Sequence, residues 1–333
     1  MNESPDSVLG CSAVNDHVNK PVPPVLWHYT SYGAFQAIIR SKNIWASEYR
    51  FLSDREEFHH AKALARKLVD EEPEFTGQGF PARDMLCKAV NIALETGHLH
   101  EERLRIMVAS FSEEGDQLSQ WRGYGDNSRG VSIGLNLTSI RPPSELGTAV
   151  TFAPCVYKAP DKITLLKAVF ARHRNGLQDW WDSIVNAAVG KQGRIGKADP
   201  QLVGQLLAAR SKELQEVVNR CQDNLQFDLL RIAPLLKDEG FSEEKEWRLV
   251  LPWERIKLPS KHPIEFRPTR DALVPYIAYP LLRPNQDGPI FCTDLVLGPG
   301  SHPSASFGTN LFLQREQIMV LARPSKIPYR PTS

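Results

Sequence analysis

The 333 residues are 41% hydrophobic and carry 40 basic against 39 acidic side chains, a formal charge of +1. That apolar content can bury a substantial core, whereas the near-zero charge excludes a global field drawing long nucleic acid or an anionic membrane, so such a partner needs a local patch. Cys11, Cys87, Cys155, Cys221 and Cys292 are scattered and odd in number, which excludes a CxxC pair and fits reduced thiols better than a disulfide framework.

Residues 1–24 are polar, lack the basic start and apolar run of a signal peptide, and end in "PVPP". A flexible tail is expected there. No uninterrupted apolar segment approaches the roughly 18 residues a spanning helix needs. A cytoplasmic protein without a membrane partner is therefore expected.

The fold begins at "VLWHYTS", with a short strand over Val25 to Tyr29 and Ser31 placed to cap a helix whose Ala34, Ile38 and Ile39 share a face. "NIWAS" reads as a second strand. Asp54 and Glu57 stand at capping-box spacing before an amphipathic stripe of Phe58, Ala61, Leu64 and Leu68. A further helix is expected over "MLCKAVNIALE". Three strands follow: "RIMVASFS", then "GVSIGLNL" with Val131, Ile133, Leu135 and Leu137 alternating, then "AVTFAPCVY".

From about residue 161 to 237 the pattern is helical, through "ITLLKAVFARH", "WWDSIVNAAV" and "KELQEVVNRCQDNLQFDLLRIAPLLK". Strand signals return in "EWRLVLP", "PIEFRP", "PYIAYPL", "CTDLVLG" and "QIMVLARPSKIPYR". Strands on both sides of the helical block indicate one α+β domain over 25–333 carrying an all-helical insertion, rather than two sequential domains.

Three clusters carry chemistry. In "LWHYTS", the His28 imidazole can bond a ribose hydroxyl, with Tyr29 and Thr30 beside it; the alternative is a half-buried histidine with one backbone partner. In "ASFSEEGDQLSQWRGYGDNSRGVSIGL", strand alternation puts Ser110 and Ser112 on one face and Phe111 on the other. Gln120, Trp121 and Tyr124 add an amide and two aromatic faces, while Arg122 and Arg129 can hold phosphates in a glycine-rich loop. The alternative is a tight turn whose aromatic rings plug the core. In "GFSEEKEWRLVLP", a strand starting near Glu244 would align Glu244, Glu246 and Arg248, a carboxylate pair able to orient a sugar and stabilise an oxocarbenium-like transition state. The alternative is a charged strand edge.

Weaker signals exclude other classes. Asp54 in "FLSDREEF" is most simply a helix cap. His59 and His60 are adjacent, and His98 and His100 are two apart, so neither pair has the spacing of a helical zinc site. No metal is expected. Walker, GxGxxG and GxSxG patterns in the right context are missing, which disfavours triphosphate hydrolysis.

Together, "LWHYTS", "FLSDREEF", "SFSEEGDQLSQWRGYGDNSRGVSIGL", "GFSEEKEWRLV" and the terminal "SKIPYR" resemble the bacterial family catalogued as domain of unknown function 2971. By the order of its motifs that family in turn resembles the ADP-ribosyltransferase superfamily, which implies a split mixed β-sheet around a cleft that binds NAD in bent form. His28 matches the histidine of one branch of that superfamily. Ser110-Phe111-Ser112 and Glu244-Lys245-Glu246 match the Ser-x-Ser and Glu-x-Glu of another, so the two motif sets are mixed.

The resemblance implies that Glu246 holds the nicotinamide-ribose 2′-hydroxyl and stabilises developing positive charge, and that Glu244 polarises an acceptor. His28 would contact the adenosine ribose, and the "QWRGYG" loop would cover nicotinamide and phosphates. Tyr29 or Tyr124 would stack the base. NAD is thus the expected substrate, and its ADP-ribose would pass to an unidentified macromolecule, a small molecule or water, in toxin-like or defence-related chemistry. The competing readings are a noncatalytic nucleotide sensor using the same cleft, and an interaction protein acting through its helical insertion.

Overall fold

The computed structural model describes residues 12–52, 56–71, 106–137, 150–189, 205, 208–252, 264–281 and 291–328. The expected cap at Asp54, the helix over "MLCKAVNIALE", His98, His100 and the final Tyr329 and Arg330 lie outside them, as does the side chain of His59. In chain order the elements begin with α1 (Ser12–Val18), β1 (Leu26–Thr30), α2 (Tyr32–Ser41), β2 (Asn43–Glu48) and α3 (Glu56–Glu71). Next come β3 (Ile106–Ser112), α4 (Leu118–Gly123), β4 (Val131–Leu135), β5 (Thr151–Pro154), α5 (Ala159–Val189) and α6 (Ser211–Ile232). The chain continues through β6 (Glu246–Pro252), β7 (Glu265–Pro268), β8 (Leu273–Pro280), β9 (Cys292–Leu297), α7 (Ala305–Arg315) and β10 (Ala322–Pro324).

These elements fall into a helical unit containing α3, α5 and α6 and a sheet unit containing every strand. In the helical unit, two stretches that read as separate helices form the single 31-residue α5. Its Leu166, Phe170, Leu177, Trp181 and Ile184 recur at helical spacing and are buried. Inside this unit Asp228 of α6 accepts a hydrogen bond from His173 Nε2 at 2.9 Å and faces Arg172 Nη1 at 3.4 Å. Pro234 lacks an N–H and sits in the short turn that follows α6.

The sheet unit has an α+β architecture around an open mixed sheet. Along its main path the strands run β10-β9-β4-β1-β3-β2-β8-β7, and β6 joins β3 to β5. Among the described residues only the β9–β10 pair is parallel. The sheet forks at β3. One side pairs with β6 along its whole length, from Ile106↔Pro252 to Ser112↔Glu246. The other is shared by β1, at Trp27↔Ser112, and β2, at Ser47↔Val108 and Glu48↔Met107.

Alternation sorts the central strands into an apolar and a polar face. Ala109 and Phe111 of β3 and Trp247, Leu249 and Leu251 of β6 join Leu26, Ile133 and Leu135 in the main core. The leucine, isoleucine and phenylalanine side chains among them each contribute about 1.5–3 kcal/mol of burial free energy. The intervening Ser110, Ser112, Glu246 and Arg248 take the opposite face. Helix α2 covers the core with Phe35, Ile38 and Ile39, so Phe35 replaces the expected Ala34 at the centre of its buried stripe. Ser31 caps α2 as expected, its Oγ accepting the Ala34 N–H at 3.3 Å.

Two local expectations are corrected. The "QWRGYG" segment is not a loop, because Leu118–Gly123 forms the short helix α4. The strand carrying the paired carboxylates begins at Glu246 rather than Glu244. Glu239–Glu244 instead forms a 3-10 turn capped by Asp238, whose carboxylate accepts the Gly240 N–H at 2.8 Å, and Lys245 takes the left-handed conformation with φ 43°.

Candidate functional site

The fork of the sheet leaves a gap beside β3. There the Ser110 carbonyl is met by a side chain: His28 Nδ1–H donates to it at 3.0 Å. Because a carbonyl only accepts, this bond puts the neutral ring's proton on Nδ1 and leaves Nε2 as an acceptor. Burial lowers the His28 pKa from its ordinary 6.5, against the opposing pull of the Ser110 carbonyl. The imidazole is therefore uncharged at neutral pH.

A cavity of about 70 Å³ opens at this fork. It is bordered by Trp27, His28 and Tyr29 of β1, Ser110 and Phe111 of β3, Gln120 and Tyr124 at α4, and Glu244 and Glu246 at the start of β6. Side chains distant in sequence thus share one wall. Drug-sized pockets run to about 300–1,000 Å³, so this one takes a ring-sized portion of a ligand and leaves the remainder outside.

Beside the cavity lies a buried ionic network. Glu246 Oε1 accepts from Arg248 Nε at 2.7 Å, while its Oε2 accepts from Lys237 Nζ at 2.7 Å and Arg248 Nη2 at 3.1 Å. Lys237 is fully buried and also donates to Glu244 Oε2. The Glu246 N–H donates to the Tyr157 hydroxyl at 2.7 Å. Burial alone would raise the Glu246 pKa, but Arg248 and Lys237 overcome it and bring the carboxyl down to about 2. For Lys237 burial acts to lower the pKa, and the neighbouring carboxylates hold it above its ordinary value. A carboxylate offers about four lone-pair sites, and these three bonds leave one.

Several expected ligand contacts have protein partners instead. Arg248 grips Glu246 with two nitrogens and does not border the cavity. Ser112 Oγ donates to the Glu244 carbonyl at 2.7 Å and accepts the Glu114 N–H at 3.0 Å, locking the turn before β6 onto β3. The Tyr29 hydroxyl donates to the Glu114 carbonyl at 2.7 Å and accepts the Gln117 N–H at 3.0 Å.

Trp121 is 0% exposed, packs edge-to-face on Tyr29 at 4.8 Å, and donates from Nε1 to Asp116 Oδ1 at 2.8 Å. Its faces are taken by the protein, so the expected stacking role is corrected to a core plug. Neither the buried Thr30 nor the exposed Arg122 borders the cavity. Of the two candidate stacking tyrosines, Tyr124 is the more open, at 36% exposed.

Packing requires several glycines of this stretch. A Cβ on Gly130 would lie 2.1 Å from the Thr30 carbonyl oxygen, and one on Gly115 2.3 Å from the Trp27 ring. Between them Asp126, Asn127 and Ser128 turn the chain with φ of 51°, 51° and 68°, a conformation that Asp and Asn tolerate better than most residues.

Lys237 and Asp116 belong to the site without standing in any of the three sequence clusters as a candidate. The signal for Lys237 was a cation ending the apolar run "RIAPLL", a short distance before two glutamates. Asp116 joins Trp121 to the end of the described chain, accepting Ser325 Oγ at 2.6 Å and the Lys326 N–H at 2.7 Å.

Among the described residues no helix is long and apolar enough to cross a membrane, and no group of His, Cys, Asp and Glu has the arrangement of a metal site. No curated protein and no solved structure matches the chain. Residues 120–249, the stretch that runs from Gln120 of α4 through the helical unit to Glu246 and Arg248, match the family described as Protein of unknown function (DUF2971).

Proposed function

We propose that the cavity at the fork of the sheet receives the ribose end of NAD and that the protein cleaves the nicotinamide–ribose bond, passing ADP-ribose to an acceptor or to water. The observation that carries this reading is convergence: His28, Ser110, Tyr124, Glu244 and Glu246 border one cavity. In the proposed reaction the bond from ribose C1′ to the ring nitrogen breaks, and its electron pair neutralises the departing pyridinium. Glu246, held ionised beside the cavity, stabilises the positive charge that develops on the sugar. Its remaining lone-pair site accepts the 2′-hydroxyl. His28 Nε2 accepts a second hydroxyl, and Tyr124 stacks a ring. The acceptor oxygen then bonds C1′ and gives up its proton to Glu244 or solvent. The cavity size requires the rest of the dinucleotide to lie outside it.

Incubating the full-length protein with NAD tests this reading by the release of nicotinamide. Wild type should release it, and Glu246→Gln, shown to be folded, should not. Intact NAD across protein, nucleotide and water acceptors overturns it.

One observation favours a second reading. Glu246 takes three N–H donors from Lys237 and Arg248, so its charge is already balanced, as suits a cleft that binds a nucleotide without cleaving it. Such a sensor would gain thermal stability with an adenine nucleotide and show no turnover.

A further inference from the structure

Lys237 is the fully buried cation at the centre of this network. Its ammonium contacts Glu246 Oε2 at 2.7 Å and Glu244 Oε2, and it lies 4.9 Å from the centre of the Phe241 ring. Glu244 ends the 3-10 turn and Glu246 opens β6, so the two side chains leave differently oriented backbone and are brought together by this single nitrogen. We infer that Lys237 is a positioning residue of the cleft: one buried ammonium clamps Glu244 and Glu246 to each other and keeps the pair charged beside the cavity. The consequence of this clamp for catalysis rests on the NAD reading, whereas the clamp itself does not.

The charged and titratable groups facing it include Glu244 from the turn, Glu246 and Arg248 from β6, Tyr124 after α4 and Tyr157 after β5, with Cys155 beside Tyr157. Two carboxylates stand against one ammonium and one guanidinium. Remove the ammonium, and two acids share one guanidinium out of water. Like charges so placed titrate as a coupled pair, with one proton retained to higher pH. A merely structural lysine would fill space here and leave the protonation of the pair unchanged.

The test uses full-length Lys237→Met, Lys237→Arg and the charge-balanced Lys237→Met/Glu244→Gln. Glutamate side-chain carboxyls are followed by carbon NMR across pH, and NAD cleavage is measured in parallel. In Lys237→Met one carboxyl should titrate about two pH units higher than in wild type. Lys237→Arg should behave as wild type, and the double variant should lose the raised titration. On the NAD reading, the acid limb of kcat should move up by the same amount in Lys237→Met with KM little changed.

A Lys237→Met titration identical to wild type overturns the clamp. A shifted titration in Lys237→Met while wild type leaves NAD intact keeps the clamp and rejects the NAD reading; an unshifted titration with cleavage by wild type does the reverse. If Lys237→Met fails to fold, the double variant decides. Its folding supports charge coupling, and its failure to fold overturns it.

Discussion

Lys237 Nζ and Glu246 Oε2 lie 2.7 Å apart with both side chains almost wholly removed from water. Their pairing explains how a carboxylate can remain ionised at a buried position: the cost of its desolvation is offset by the ammonium and by the two nitrogens of Arg248. The pH response follows directly. The folded Glu246 carboxyl is depressed from 4.5 to about 2, so its contribution to stability is present above about pH 4.5 and is lost as pH falls toward 2. Denaturant unfolding of wild type should lose on the order of 3 kcal/mol across that window from this group. Glu246→Gln should have a shallower acid slope, and equal slopes would contradict the pairing.

Asp116 is the tie between Trp121 and the segment around Ser325 and Lys326. Asp116→Ala leaves three donors without their acceptor and should cost about 2–4 kcal/mol, at about 1–3 per donor removed from water, less partial rescue by water at the exposed Lys326 N–H. Ending the chain at Pro324 should destabilise through the same contacts. The two changes combined should therefore cost less than their sum, as thermal melts of the four proteins would show.

Two glycines of one stretch should respond oppositely. Gly130→Ala drives a methyl to 2.1 Å from the backbone oxygen of Thr30, whereas Gly123→Ala meets nothing within 4 Å at the end of α4. The first should lower stability by roughly 2 kcal/mol or more, since two strands must part to admit it. The second should be neutral or stabilising by up to about 1 kcal/mol. Melting temperatures of the single variants check the contrast.

His28 tests the polar wall of the cavity without touching the ionic network. Burial holds its pKa below 6.5 and its Nδ1–H is committed to Ser110, so Nε2 stays an acceptor on mild acidification. On the NAD reading, affinity for NAD should accordingly be nearly flat between pH 8 and 6.5, and His28→Ala should weaken it by about tenfold, the worth of one hydrogen bond near 1.4 kcal/mol. Calorimetric titration at several pH values measures both.

Period-two alternation made the central strands legible. It put Phe111 and Trp247 on the face opposite Ser110, Ser112, Glu246 and Arg248, and the register from Ser110↔Arg248 to Ser112↔Glu246 has that alternation, with Phe111 and Trp247 in the core and Glu244 left outside the strand. The helices α2, α5 and α6 were legible for the same reason at period 3.6. What was not legible is where polar side chains find their partners. Trp121 and Tyr124 read alike as aromatic faces, but a carboxylate five residues upstream, Asp116, draws the indole inward, and nothing in their spacing distinguishes them. Arg248 read as a ligand contact because its strand position was right, yet the nearest anion is its own neighbour Glu246. Lys237 stayed invisible because it acts across a turn of irregular geometry, where no periodicity relates it to Glu244.

The most direct test of the account is to fill the cavity. Ser110→Leu places a larger apolar side chain in its wall without substituting Glu246, Lys237 or Arg248, although Arg248 is its cross-strand partner. With folding verified by circular dichroism, the account predicts that NAD binding and nicotinamide release, both present in wild type, are lost together in this variant. Undiminished binding or release in the filled protein would contradict it.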